Sequence, residues 1–473
     1  MSKTTRPVKV LQYGQGNFLR AFADDFIQTL NDETDFDGNV VIIKPTNRGS
    51  LDVFKQQNHR YHVVIRGLSQ GKTVNQVKKI SSITDSLSPY TEYDAYMSYA
   101  KSDTLRFIIS NTTEAGIVYH EKDTIHMTPP ESFPGKLTQF LYTRYFHFHG
   151  DRSKGLIILP TELIDDNGTT LKGIVHKLAE EWDLDKDFSL WLDEACIFAN
   201  TLVDRIVSGF PKKNPEQFWK QIGCEDPLLV TAEPFGLWVI EADDSVKNEL
   251  LPGHVGLPII FTDDYKPYKE RKVRLLNGAH TASALLAYSC GKQYVKDMLD
   301  DTHLKTFITT VLFDEIIPAL SIPEEISKPF AQNVLERFAN PYIDHSLLSI
   351  SLNSTSKWKA RCLPSLRDYM KKFHSVPPML LFSLVALLYF YQTGITSQQY
   401  EIKDDDEVLS FFENHKNDDC DTLVEAFLAC PSLHGLSREE RILIRLPLIY
   451  YFRRMKETGP YAALQEVLRE EIH

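Results

Sequence analysis

The sequence lacks the cysteine spacings that usually bind zinc or form a redox pair. Its six cysteines contain no C-x-x-C pair and no regular framework. Disulfide frameworks belong to oxidising compartments, so this usage indicates a reducing one. Neither zinc nor redox-cysteine chemistry is indicated, and we expect no metal.

A basic excess and a long apolar run are also missing. The formal net charge of -12 argues against nucleic acid as a partner, because that affinity comes mainly from basic groups that displace counterions. The longest apolar run, Met379 to Tyr391, falls short of the ~20 residues that span a bilayer, and indicates a buried helix. The amino end, MSKTTRPVKVLQYG, has no apolar core of a signal peptide. We expect a cytoplasmic protein without a membrane partner.

The bulk composition indicates a folded chain with more than one core. Hydrophobic residues at 42% and charged residues at 25% are ordinary for a soluble globular protein. A length of 473 residues exceeds the ~250–300 at which single cores stop growing. Two domains are therefore expected.

The opening of the chain reads as strand, glycine turn, helix and strand. VKVLQYG is apolar and β-branched, GQG interrupts it, and the next segment has helical spacing at Phe18, Phe22, Phe26 and Leu30. The second strand signal is NVVIIKP. This βαβ order is typical of a nucleotide-binding fold.

Later segments extend the same pattern and then change it. YHVVIRG and TVNQVKKI predict a hairpin, RFIISN and GLIILP predict two more strands, and a helix is predicted around Pro134 to His147. A mostly parallel sheet with an antiparallel excursion fits these segments. From about Lys266 helical periodicity dominates. We therefore predict an α/β chain with a Rossmann-type domain at 1–265 and a mostly α-helical domain at 266–473, divided near Asp264 to Lys269.

The turn after the first strand is the candidate cofactor site. Gly14 and Gly16 permit a tight turn and close approach to a pyrophosphate, but Leu19 stands where the usual fingerprint has its third glycine. The acidic residue expected after the second strand is replaced by the basic and polar stretch Lys44 to Arg48. Basic groups suit a 2'-phosphate, so the residues leave NAD and NADP both open.

A second glycine-rich stretch, Gly67 to Thr73 (GLSQGKT), is similar to a phosphate-binding loop but has three residues between its glycines where four are required. A strand pattern follows it instead of a helix. We interpret it as a hairpin turn.

The strongest constellation of polar groups is Lys272, Asn277 and His280. On an α-helix these three fall within an arc of roughly 140°, so they could line one wall of a cleft. A desolvated lysine can serve as the acid that carbonyl reduction needs, and an amide and an imidazole can hold the same oxygen. The alternative is an ordinary amphipathic helix with a solvated Lys272 and a His280 buried in the core.

The same residues carry a resemblance to a known family. Lys272, Asn277 and His280, together with GQGNFLRA and LVDRI (Leu202 to Ile206), resemble the mannitol dehydrogenase family of long-chain polyol dehydrogenases. The segments SNTTEAGI, PTELIDDNG, NTLVDRIVSGFP and NPYIDHSLLSISLNSTSKW are similar to a subgroup that acts on sugar acids. The likeness spans nearly the whole chain.

The resemblance implies roles for individual residues. Lys272 becomes the general acid/base, with Asn277 and His280 holding the reacting oxygen. Asp204 and Lys357 match substrate-site positions, and Asn167 is the candidate for a further oxyanion contact. The implied contacts of the nicotinamide cofactor are Gly14, Gln15, Gly16, Asn17, Phe18, Leu19, Arg20, Asn111, Thr112 and Glu114.

The implied activity is NAD-dependent reduction of tagaturonate to altronate, with a small sugar acid as partner and with NADP not excluded as cofactor. Polyol enzymes carry an arginine eight residues before the matching lysine, and Ser349 stands there in this chain, which indicates a substrate end different from that of mannitol. Fructuronate is the alternative substrate within this class. A nucleotide-binding sensor without activity is the alternative outside it, and the oligomeric state is left open.

Overall fold

The computed structural model describes residues 6–113, 115–251, 253, 255–397 and 399–472. The chain forms two compact units. One comprises Met1–Gly67 and Thr73–Lys266, and the other comprises Leu68–Lys72 and Pro267–His473.

The first unit is built on a six-stranded parallel sheet. Its strand order is β5-β2-β1-β6-β7-β8, in which the first strand lies centrally and the chain crosses over to both sides. In this order the carboxyl ends of β1 and β6 lie side by side, at the switch point where open α/β sheets bind ligands. The strands are β1 (Val8–Tyr13), β2 (Asn39–Ile43), β5 (Ile83–Leu87), β6 (Phe107–Ser110), β7 (Ile157–Pro160) and β8 (Ile197–Phe198).

Both faces of this sheet are buried, which explains the continuous apolar runs of its strands. Val10, Val40 and Ile109 belong to the hydrophobic cluster on one face. Leu11 and Val41, the next residues in two of these strands, belong to the cluster on the other face. The strand-turn-helix pattern of the sequence thus predicted a Rossmann-type sheet, and the structure confirms it.

Helices cover the sheet, and one of them is shorter than expected. The helix predicted from Asn17 onward is broken at Phe22, whose φ of -128° and ψ of -81° are not helical. The helices are Asn17–Arg20, Ala23–Glu33, Asp52–Gln56, Tyr93–Ser98, Phe133–His147, Asn167–Glu181, Lys186–Ala195, Pro215–Ile222 and Asp244–Leu250, with 3-10 turns at Tyr99–Lys101 and Arg152–Lys154.

Two smaller sheets complete the strands. One has the order β10-β11-β3-β4 and the other the order β13-β12-β9. The predicted hairpin is therefore part of a separate sheet and not an excursion of the parallel one. The strands are β3 (Tyr61–Ser69), β4 (Lys72–Ile80), β9 (Thr201–Asp204), β10 (Val207–Gly209), β11 (Val230–Ala232), β12 (Leu237–Glu241) and β13 (Ile259–Thr262).

The GLSQGKT stretch is a hairpin turn, as predicted. Gln70 and Gly71 connect β3 directly to β4, and both have positive φ, 52° and 71°. Two consecutive residues with positive φ are the geometry of a type I′ turn, which matches the twist of the strands it joins.

The second unit is helical. Two of its segments, Lys272–Asn277 and Val311–Ile316, are π-helical. The α-helices are Lys266–Arg271, Gly278–Ser289, Val295–Asp300, Thr302–Thr310, Ile317–Ala319, Glu324–Phe338, Leu347–Ile350, Ser354–Arg361, Leu363–Phe373, Pro378–Ser397, Asp406–Asn414, Cys420–Ala429, Pro431–His434, Arg438–Thr458 and Pro460–Ile472.

The apolar run of the sequence lies in the helix Pro378–Ser397, which is longer than the run itself. This helix has the length and hydropathy of a membrane span, but 78% of its most apolar window is buried inside the fold. It packs against Gly278–Ser289 and Arg438–Thr458. It is the core helix of the second unit, as the sequence indicated.

Candidate active site

Gly14 makes the turn after β1 possible. Its φ is +130°, and a Cβ built there would lie 2.8 Å from the carbonyl oxygen of Asn111 and 2.9 Å from Cδ1 of Leu19. An L side chain rarely adopts such a φ, and the nearer neighbour, the Asn111 carbonyl oxygen, is backbone that cannot swing away. Glycine is therefore required at this position by the fold itself.

Gly16 differs from Gly14 in both respects. Its φ of -67° and ψ of 167° suit any residue, and a Cβ would meet no atom within 4 Å. Gly16 and Asn17 are exposed. The protein thus leaves bare backbone open at the carboxyl end of β1, where a bound phosphate could approach closely.

The residues that follow anchor the turn from beneath. The ring of Phe18 stacks on Phe22 at 4.8 Å, and Leu19 is buried. Buried Arg20 donates to Oδ1 of Asn17 at 2.6 Å and to the carbonyl of Leu228. These contacts hold the turn in shape and leave its outer face to Gly16 and Asn17.

Gln15 lies at the edge of the same turn, half-buried, and donates to the carbonyl of Ser50 at 3.4 Å. Lys44, at the end of β2, donates to the carbonyl of Gly49 at 2.9 Å and is buried. Arg48 is exposed. Of the two basic residues in this stretch, Arg48 is therefore the one open to an additional phosphate.

The loop after β6 lies beside the glycine turn. The close approach between Gly14 and the carbonyl of Asn111 brings these two predicted cofactor residues together. The side-chain amide of Asn111 donates to the carbonyl and hydroxyl oxygens of Thr161. Glu114, also predicted from the resemblance, lies outside the described residues.

Buried Glu162 holds this loop, a role that the sequence reasoning missed. Its carboxylate accepts from the backbone N–H of Thr112 at 2.9 Å, from the Thr112 hydroxyl at 2.8 Å and from the Ser110 hydroxyl at 2.9 Å. Burial raises the pKa of Glu162, and these hydrogen bonds oppose the shift. The available signal was a carboxylate two residues after the end of a buried strand.

Asn167 is committed to its own loop. Its Nδ2 donates to the carbonyls of Pro160, Glu162 and Thr201, each at 3.1 Å. Its Oδ1 accepts from two backbone N–H groups, and the residue is 1% exposed. This bonding fixes the loop, and the oxyanion contact of Asn167 expected from the resemblance stays a prediction.

Asp204 ends β9 and is buried. It pairs across the sheet with Leu237. Its neighbour Arg205 forms a buried ion pair with Asp25 at 2.7 Å, which fixes the backbone beside Asp204. The substrate role of Asp204 stays a prediction.

In the second unit, Lys272, Asn277 and His280 lie on one continuous helical stretch, but its first part is not α-helical. Lys272–Asn277 is a π-helix, followed by an α-helix from Gly278. Hydrogen bonds in a π-helix join residues five apart, so Lys272 and Asn277 are separated by about one full turn and lie on nearly the same side of the helix. On an α-helix the same two side chains would be rotated by ~140° from each other about the axis. The wide turn therefore aligns these two residues better than the sequence predicted.

His280 follows one α-helical turn after Asn277 and is half-buried. Its ring packs on Phe338 at 4.1 Å and meets His345 at 5.3 Å. Burial, reinforced by His345, Arg337 and Arg361, lowers the pKa of His280 well below its usual 6.5. The imidazole is therefore neutral at neutral pH and able both to donate and to accept a hydrogen bond.

Lys357 lies on the helix Ser354–Arg361, which packs against Gly278–Ser289. It is half-buried, and its Nζ donates to the carbonyl of Ile350 at 3.1 Å. Burial, with the charge of Arg361 added, lowers its pKa. Ser349 is exposed and donates to the carbonyl of Ser346.

The predicted residues thus form two groups, one in each unit. Gly14 to Arg20 lie with Asn111 and Thr112 at the carboxyl ends of β1 and β6, and Lys272, Asn277, His280 and Lys357 lie on two packed helices. Among the described residues, no three histidines, cysteines or carboxylates come together as metal ligands.

Comparison with known proteins covers both groups. Residues 8–251 match the family model of the mannitol dehydrogenase Rossmann domain, and residues 264–442 match that of the mannitol dehydrogenase C-terminal domain. An altronate oxidoreductase of Phocaeicola vulgatus is 42% identical over 437 residues, covering 92% of this chain and 91% of that protein. An altronate oxidoreductase of Bacillus subtilis is 40% identical over 466 residues, covering 98% and 96%.

Two solved structures share the fold at low identity. A D-sorbitol dehydrogenase in substrate-free form is 20% identical, with a TM-score of 0.81 over 97% of this chain and 95% of that one. The mannitol 2-dehydrogenase of Pseudomonas fluorescens, solved as a ternary complex with NAD and D-mannitol, is 19% identical, with a TM-score of 0.67 over 98% and 95%.

Proposed function

The chain belongs to the mannitol dehydrogenase family, and from this premise we propose that it interconverts D-tagaturonate and D-altronate with NAD as cofactor, in hexuronate catabolism. It is an oxidoreductase that acts on CH–OH groups. The observation that carries the substrate is the 40–42% identity, over nearly the full chain, to proteins named altronate oxidoreductase.

The first unit fits a dinucleotide. The open backbone at Gly16 and Asn17 would receive the pyrophosphate, and the loop at Asn111 and Thr112, held by Glu162, would border the nicotinamide side. When bound, the cofactor supplies the hydride for reduction of the ketone. NADP remains an alternative, since Arg48 is the exposed basic group after β2.

The second unit supplies the proton. In our proposal Lys272 donates it to the keto oxygen as the carbon accepts hydride, and takes it back in the reverse reaction. Asn277 and neutral His280 hydrogen-bond to the same oxygen and stabilise its developing charge. The π-helical turn that aligns Lys272 with Asn277 supports these catalytic roles, because such turns are frequent at functional sites.

The substrate also carries a carboxylate that mannitol lacks. Burial of a carboxylate requires a cation or several hydrogen-bond donors. Lys357, on the helix packed against His280's own helix, is the candidate that the family resemblance supplies, and Asp204 is the candidate in the first unit for the hydroxyl groups. We propose a cytoplasmic site of action, because the cysteine usage of the chain indicates a reducing compartment.

A panel of substrates tests this function. Purified protein with NADH, and separately with NADPH, is given tagaturonate, fructuronate and fructose, and oxidation of the cofactor is followed by absorbance. We expect the highest kcat/KM with tagaturonate and NADH. Preference for fructuronate would move the assignment to mannonate formation, preference for fructose would refute the sugar-acid assignment, and no turnover with NADH binding intact would favour the sensor.

A further inference from the structure

Arg361 lies close to the predicted catalytic helix although the two are far apart in sequence. A Cβ built on Gly278 would lie 3.3 Å from the carbonyl oxygen of Arg361, so the carboxyl end of the helix Ser354–Arg361 touches the first turn of the helix that carries His280. The Arg361 guanidinium, Nη1, donates to the hydroxyl of Thr281 at 3.3 Å. Arg361 is thus placed next to the residue that follows His280.

No carboxylate among the described residues pairs with Arg361, which is half-buried. Two other arginines of nearby helices are neutralised: Arg274 pairs with Asp368 at 2.6 Å and Arg367 pairs with Glu440 at 2.6 Å. Leaving a partly desolvated cation with one hydroxyl partner is costly, and a bound carboxylate would remove that cost.

The surroundings of Arg361 add positive charge. Lys357 lies one helical turn earlier, on the same face of the helix Ser354–Arg361 as Arg361. Burial lowers the pKa of both Arg361 and Lys357, and Arg361 further lowers the pKa of Lys357. Asp404, whose negative charge acts on Lys357, already accepts hydrogen bonds from the Thr355 N–H, the Thr355 hydroxyl and the Tyr391 hydroxyl.

We propose that Arg361 receives the carboxylate of the sugar-acid substrate, with Lys357 as a flanking charge. The proposal rests on the proposed function, since it needs a charged substrate. The planar guanidinium matches a carboxylate with two parallel hydrogen bonds, which the ammonium of Lys357, held by the carbonyl of Ile350, does not offer. Arg361 thereby determines which end of the substrate lies beside Asn277 and His280.

The test compares charged and uncharged ketoses in matched variants. Arg361→Gln keeps a donor for Thr281 but removes the charge, and Arg361→Lys keeps the charge but not the paired donors. Lys357→Gln tests the flanking lysine. Lys359→Gln is the control on the same helix, because Lys359 donates instead to the carbonyl of Ser432. KM and kcat are measured for tagaturonate and fructose, and thermal melting monitors folding.

We expect Arg361→Gln to raise KM for tagaturonate at least about tenfold, with kcat and the KM for fructose changed less than about threefold. Arg361→Lys should recover part of the loss, Lys357→Gln should lose less than Arg361→Gln, and Lys359→Gln should behave as the wild type. Equal losses on both substrates, or a large loss confined to Lys357→Gln, would overturn the assignment of Arg361 while leaving the function intact. A wild type that prefers fructose would overturn the proposed function, and this inference with it.

Discussion

Two glycines separated by one residue should respond to substitution in opposite ways. Gly14→Ala places a Cβ 2.8 Å from the carbonyl oxygen of Asn111 and forces a φ of +130° on alanine. The backbone strain and the overpacking each cost ~1–3 kcal/mol, so the free energy of unfolding should fall by roughly 2–6 kcal/mol. This variant should lose stability first and cofactor binding as a consequence.

Gly16→Val should instead weaken cofactor binding and leave the stability of the fold nearly unchanged. The backbone angles at Gly16 suit valine and no atom lies within 4 Å of the new Cβ, so the free energy of unfolding should change by less than about 1 kcal/mol. The side chain projects instead into the space where a pyrophosphate would approach. NADH affinity should fall at least tenfold, which corresponds to ~1.4 kcal/mol of binding free energy.

Denaturant unfolding and a fluorescence titration with NADH measure the two effects separately. Gly256→Val is the matched control, because Gly256 lies in the same unit and its Cβ would also meet nothing within 4 Å. That control should leave stability and affinity unchanged. Wild-type NADH affinity in Gly16→Val would show that the cofactor does not approach this turn.

Two further predictions concern the second unit. Lys272→Met should lower kcat at least ~10²-fold with NADH affinity unchanged, and a chelator should have no effect on the wild type; inhibition by chelation that zinc restores would assign the chemistry to a metal instead. Because the folded-state pKa of His280 lies well below 6.5, the unfolded chain binds the extra proton first, and stability should fall as pH drops below about 6.5 by up to ~1.4 kcal/mol per pH unit for this group. His280→Asn should make that slope shallower in thermal melts between pH 5 and pH 7, and an unchanged slope would contradict the burial argument.

The features that the sequence predicted well are those encoded over short distances. A β-branched apolar run followed by glycines and a helical spacing of phenylalanines indicates strand, turn and helix from neighbouring residues alone, and the order of such units indicates a parallel sheet. The hairpin at Gln70 and Gly71 was predicted in the same way, from a glycine-containing turn between two strand patterns. The apolar run from Met379 indicated a buried helix because its composition leaves no polar face.

The sequence could not distinguish the residues of the glycine turn from one another. Gly14 and Gly16 have the same side chain, but one lies against Asn111 and the other is open, and this difference arises from the neighbouring strand β6. Asn167 is similar: its segment resembles that of the family, and only the folded loop shows that six hydrogen bonds engage its side-chain amide. Conformation and partners decide the role of such residues, and these depend on distant parts of the chain.

Local pattern determined the sheet, the helices and the placement of Lys272, Asn277 and His280 on one helical stretch, because 3.6-residue and two-residue periods are properties of neighbouring side chains. Tertiary structure decided the π-helical turn that brings Lys272 into line with Asn277, since a wide turn gains nothing from local propensity. It also decided the position of Arg361, which reaches Thr281 across a separation of 80 residues in sequence. A contact of that kind forms only when two helices pack, so it cannot be predicted from the sequence of either segment alone.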